Sequence, residues 1–182
     1  MPEAGAVVRL RRMKTRILSG LLLAGISAGG VAPAVAASLP ARAAGLWQST
    51  STVTGPDGKP LANATNVVTV SCVDPATDLK FFLSGANACS SLDIEGSGSS
   101  FTINGSCKQM GKVVNIHEAL NYADAQDVTL TASWAGDAGQ MTLTSQLKWQ
   151  GDCLAGMVPG DEGNIVGGAF SKADNINDPD NQ

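Results

Sequence analysis

One imidazole, two pairs of neighbouring carboxylates and four thiols are the side chains here whose type and spacing could do chemistry. His117 is the only histidine in 182 residues, so it alone offers an ordinary proton affinity suited to general-base work near neutral pH. A nucleophile–His–acid triad needs all three groups in contact. His117 instead sits in a plain strand pattern with no nucleophile-elbow motif beside it. A surface histidine is the expectation, and a hydrolase using His117 is the alternative. Paired carboxylates could cleave a glycosidic bond. Asp124/Asp127 and Asp161/Glu162 are close in sequence, but both pairs fall in turn-like or tail-like stretches and read as solvated charge. No Gly-rich phosphate loop followed by Lys-Ser/Thr occurs. The expectation is therefore no catalytic residue, no cofactor and no metal.

Cys72, Cys89, Cys107 and Cys153 are an even set. There is no Cys-x-x-Cys, and a Cys₄ zinc site usually shows two close pairs. In an exported chain the default is two disulfides, with three pairings open to four cysteines. One pairing follows from a hairpin. Cys89–Glu95 and Ser100–Cys107 flank the turn cluster Gly96-Ser-Gly-Ser99, and residue 98 lies midway between the two cysteines. Opposed residues of an antiparallel pair have Cα atoms about 4.5–5.5 Å apart, within disulfide reach. Cys89–Cys107 is expected, which leaves Cys72–Cys153.

The elements that must position these groups are mostly strands. In Gly45–Thr54, Trp47, Ser49, Ser51 and Val53 alternate with polar neighbours, and residues 66–72 read as a second strand. Asp74-Pro75 should open a short helix whose apolar face is Leu79, Phe82 and Leu83. After the 89–107 hairpin, Val114, Ile116, Leu120 and Tyr122 recur at period two, with Glu118 breaking the stripe. Two further strands alternate around Trp134 and Trp149, which flank one hairpin and should nearly oppose each other. The fold class is all-β, mainly an antiparallel meander of about seven strands, forming a curved sheet or partly open barrel with one short helix and two disulfides. Trp47, Trp134 and Trp149 are the candidate ligand-lining residues; a shared core cluster is the plainer reading.

Residues 1–36 read as a signal peptide: a basic stretch from Arg9 to Arg16, a Gly-interrupted apolar stretch from Ile17 to Pro33, and Ala34-Val-Ala36 before the cut. Translation could start at Met1 or Met13. Residues 37–44 read as a linker, 45–153 as the β-domain, and 154–182 as a weakly ordered acidic, Gly-rich tail. Asp178 to Asn181 lack the spaced carboxylates of a calcium loop. Five of the 12 basic residues and one of the 16 acidic ones lie in the first sixteen positions. Removing them leaves 7 basic against 15 acidic residues, a net charge of −8 that excludes a nucleic-acid partner. No later stretch could hold the chain in a membrane once the signal is cut. A periplasmic location is expected, with a small ligand or an envelope protein as partner.

Gly45-Leu-Trp47-Gln48 opens the first strand, Cys72 precedes a helix with Phe81-Phe82-Leu83, Cys89 and Cys107 span a hairpin, and Gly151-Asp-Cys153 closes the last strand. In this order the motifs resemble the bacterial periplasmic family called domain of unknown function 3617, over roughly Gly45 to Cys153. The resemblance implies export, disulfides and a β-fold, and no catalytic residue. The Met-rich first hairpin loop of many members is here Gly55–Pro60, without Met. Gly45-x-Trp47 is also similar to the Gly-x-Trp of lipocalin-type barrels, which implies a small-ligand carrier as an alternative. There the Trp packs under an Arg from a late strand, whereas Arg42, the one Arg after the signal, precedes it.

Overall fold

The computed structural model describes residues 37–84, 86–109, 111–136 and 139–178. Residues 1–36, which read as a signal peptide, lie outside them. The strands are β1 (Gly45–Thr54), β2 (Val67–Val73), β3 (Cys89–Ser97), β4 (Ser100–Gln109), β5 (Lys112–Asp124), β6 (Asp127–Gly136), β7 (Gly139–Gly151), β8 (Asp161–Val166) and β9 (Ala169–Asn175). A helix α1 (Asp78–Phe82) and a 3₁₀ turn (Ala86–Ala88) separate β2 from β3. All strands form one antiparallel sheet in the order β3-β4-β5-β6-β7-β1-β2-β8-β9. β3 and β9 are its edges, so the sheet is not closed.

The all-β antiparallel fold with one short helix and two disulfides is as the sequence implies, but nine strands replace seven. The extra pair is β8–β9, in the stretch read as a loose tail. Its turn, Gly167-Gly168, has both φ values positive (60° and 83°), the two-residue hairpin geometry that glycine accepts without strain. β8 then pairs with β2 through Val70 and Ser71.

Two other boundaries move. Residues 37–44 are no linker, for Ala37, Leu39 and Ala43 pack on the core, and Ala43 N–H donates to the Ala125 carbonyl at 2.7 Å. The helix starts later than Asp74-Pro75 suggests. The Asp74 carboxylate instead closes a turn, accepting from the Ala76 and Thr77 amides at 3.0 and 2.9 Å and from the Thr77 hydroxyl at 2.8 Å. These bonds, the hydroxyl's first, hold its carboxyl below the usual range. Leu79 consequently points outward and is 46% exposed, while Phe82 is buried.

The core lies on one face of the sheet, under α1 and residues 37–44. Period-two alternation puts Trp47, Phe101, Ile103, Leu120, Tyr122 and Val128 on that face. Gly45 allows β1 to enter here: its φ is +130°, and a Cβ would lie 2.2 Å from the Gly151 carbonyl oxygen. Cys89 and Cys107 are register partners and are bonded. Cys72 bonds Cys153 with Cα atoms 5.4 Å apart, tying β2 to the chain just past β7 across the start of β1.

Candidate functional site

On the covered side of the sheet, Arg42 and Glu118 lie in contrasting surroundings. The Arg42 side chain is 1% exposed and its Nε donates to Asp78 Oδ1 at 2.6 Å, while its amide donates to Oδ2 at 2.8 Å. The guanidinium carbon stands 4.8 Å from the Trp47 ring centre, 4.4 Å from Phe82 and 5.9 Å from Phe81. Such cation–ring stacking strengthens when desolvated. Nη2 is buried and has no hydrogen-bond partner, and the same holds for the Tyr122 hydroxyl. Burial, with Asp78 adding to it, pushes the Tyr122 phenol up to about 12.

Arg42 borders a cavity of about 300 Å³ between α1 and strands β1, β2, β6, β7 and β8. Its apolar wall is Phe81, Phe82, Leu130, Leu143, Leu147 and Val67. Its floor is hydroxylated. Ser145 is 3% exposed and joins Ser49 at 2.6 Å and Ser51 at 2.9 Å, with Ser49 and Ser51 3.1 Å apart. These are the inward positions of β1, where small polar residues follow Trp47. Glu162, beside Ser71 in register, closes the rim. Burial first, then Asp174, raises its carboxyl above the ordinary value. An apolar hollow with a few convergent polar groups is the usual form of a small-molecule site.

Glu118 is the residue that interrupts the β5 stripe. Its cross-strand partners are Ile103 and Ala132. It opens on a separate slot of about 170 Å³ beneath α1. It has no hydrogen bond or ion pair among the described residues. Desolvation alone pushes its carboxyl from 4.5 to about 7.

The residues singled out from sequence scatter. His117 is exposed on the opposite face, its Nδ1 2.7 Å from Asn104 Oδ1, with Ser133 as its other cross-strand neighbour. No carboxylate bonds it among the described residues. Together with Asp93 these side chains border an open depression of about 650 Å³. Asp124 and Asp127 are register partners at the β5–β6 turn. There Asp124 accepts from the Gln126 amide at 2.7 Å, and Asp127 meets Gln146 and, at 3.4 Å, Lys148. Asp161 is not solvated as expected. It is 2% exposed, and although burial raises its carboxyl, hydrogen bonds from Lys172, at 2.7 Å, Val158 and Asn175 hold it below the ordinary value.

Only two of the three tryptophans, Trp47 and Trp149, come together. Trp134 and Trp149 are not opposed: Trp134 faces Met141 near the hairpin tip, and Trp149 faces Trp47 at the other end. The Trp47 and Trp149 indoles donate to the carbonyls of Ala43 and Ala44 at 2.8 and 2.9 Å. Trp47 does stack under an arginine, but that arginine is Arg42, from the segment preceding the strand. No group of three or more His, Cys, Asp or Glu side chains that could hold a metal occurs among the described residues.

The order of Cys72, the Phe81-Phe82 helix, the 89–107 hairpin and Cys153 around this core is matched by a family model. Residues 42–153 match the family described as Protein of unknown function (DUF3617). The chain belongs to that family. The match begins at Arg42 and ends at Cys153, so it takes in the Arg42–Asp78 pair, Glu118 and both disulfides, and leaves β8–β9 outside. No curated protein and no solved structure matches the chain significantly. Among the described residues no helix is long and apolar enough to cross a membrane.

Proposed function

We propose that this DUF3617 member is an exported, periplasmic and non-enzymatic β-domain that binds a small, partly polar ligand in the cavity beside Arg42. The observation that carries the reading is the hollow itself: an apolar wall over a serine floor, bordered by a buried guanidinium with one unpartnered nitrogen. At about 300 Å³ it sits at the small end of ligand sites. The basic-then-apolar first 36 residues and the two disulfides support export to an oxidising space. The acidic balance argues against nucleic acid. His117, on the far face, bonds the Asn104 amide, which is no nucleophile.

The test is intrinsic fluorescence. Trp47 touches Arg42, so an occupant bearing on the guanidinium should alter its emission. A panel of lipids, sugars and haem should include one class giving a saturable change. Val67, 42% exposed at the cavity rim, can be replaced without opening the core. Val67→Arg should weaken that binding at least about tenfold, a loss of about 1.4 kcal/mol, with the melting temperature held. No saturable change across the panel, or an unaffected Val67→Arg variant, overturns the reading.

A further inference from the structure

We propose that the slot beneath α1 is a second binding site, independent of the Arg42 cavity, which takes a short organic cation: a primary ammonium on an apolar stem. The slot is walled by Phe82, Leu83, Leu92, Ile103 and Ile116, with the Cys89–Cys107 disulfide at one side. One ionisable group, Glu118, lines it. A carboxylate taken out of water is costly unless it gains a partner, and such groups are normally paired. Glu118 has none among the described residues, although Leu or Thr would continue the β5 stripe at no such cost.

The elements around it bring no counter-charge. α1 presents Phe82 and Leu83, the 3₁₀ turn Ala86 and Ala88, and β3 Leu92 and Cys89. β4 presents Ile103 and Cys107, β5 Ile116, and β6 Ala132. None carries charge, and none alters the Glu118 proton affinity by its field. No described residue supplies a counter-charge, and a ligand could. An ammonium would supply it, and the apolar walls would take the stem. The slot of about 170 Å³ has room for about six heavy atoms at roughly 30 Å³ each. The surplus of acidic residues beyond the first sixteen positions would raise the local concentration of cations.

Pentylamine has that size, and its ammonium persists well above neutral pH, as that of lysine does. Calorimetric titration of the purified protein at pH 8 should show saturable one-to-one binding. Pentanol and pentanoate should bind at least about tenfold more weakly. Binding should fall by about a hundredfold between pH 8 and pH 5 as Glu118 takes up its proton. Glu118→Gln, which keeps shape and volume, should abolish binding, while Val67→Arg should leave it intact. Absence of saturable pentylamine binding at pH 8, equal binding by Glu118→Gln, or binding that ignores pH in the unmodified protein would each overturn the proposal.

Discussion

Arg42 and Glu118 occupy the same covered face of one sheet, on either side of Phe82, and have opposite fates. Arg42 is paired with Asp78 through two hydrogen bonds and stacked among three rings. Glu118 faces apolar side chains with no partner among the described residues. Burial alone therefore does not say what a charge is for. A charge whose own chain satisfies it holds the structure together, here by fastening residues 37–44 and α1 over Trp47. A charge left unsatisfied weakens the fold, and here it marks the proposed ammonium site.

The comparison is broken most forcefully at Asp78. Asp78→Ala strands the Arg42 guanidinium in the core and should cost about 4 kcal/mol in urea unfolding, since removing one member of a buried pair typically costs 3–5 kcal/mol. A loss below about 1 kcal/mol would mean that the pair behaves like a surface contact and the contrast with Glu118 is false. The next effect is at the wall of the slot. Replacing Cys89 and Cys107 by Ala should cost about 3 kcal/mol, the chain-entropy value for a closed loop of this length. The variant should keep the Arg42 side intact, so Trp47 emission should be unchanged at low denaturant.

Much of this arrangement is legible in the sequence, for reasons that differ by residue. The 89–107 disulfide is legible because the turn lies almost midway between the two cysteines, although the register that the turn sets would place Cys89 against Lys108, and a bulge between Cys89 and Ser91 brings it opposite Cys107. Glu118 announces itself by interrupting a period-two apolar stripe, although its solitude shows only once the neighbouring strands are in register. Arg42 could not be read. Its partner Asp78 is 36 residues away and resembles any helix-start acid, and residues 37–44 have the composition of a linker. The β8–β9 hairpin carries a local signal, Val166-Gly-Gly-Ala169, but its low apolar content outweighed that signal. Its strands are held by pairing with β2 and by the Asp161–Lys172 bond rather than by a wide apolar face.

The smallest effect separates the two charges most cleanly. In the folded protein the Glu118 carboxyl stands at about 7, above its ordinary 4.5. The folded state then binds more protons than the unfolded one between these values. Stability should rise as pH falls through 7, and the gain should be complete below about 4.5. From pH 8 to pH 5 the unmodified protein should gain about 2 kcal/mol relative to Glu118→Gln, allowing for partial solvent screening. The most direct measurement is the carboxyl ¹³C shift of Glu118 followed by NMR across this range without ligand. A midpoint near 7 is expected for a half-buried carboxylate against apolar walls with no partner among the described residues. A midpoint at or below 4.5 would show that Glu118 is solvated or paired, and would contradict the account.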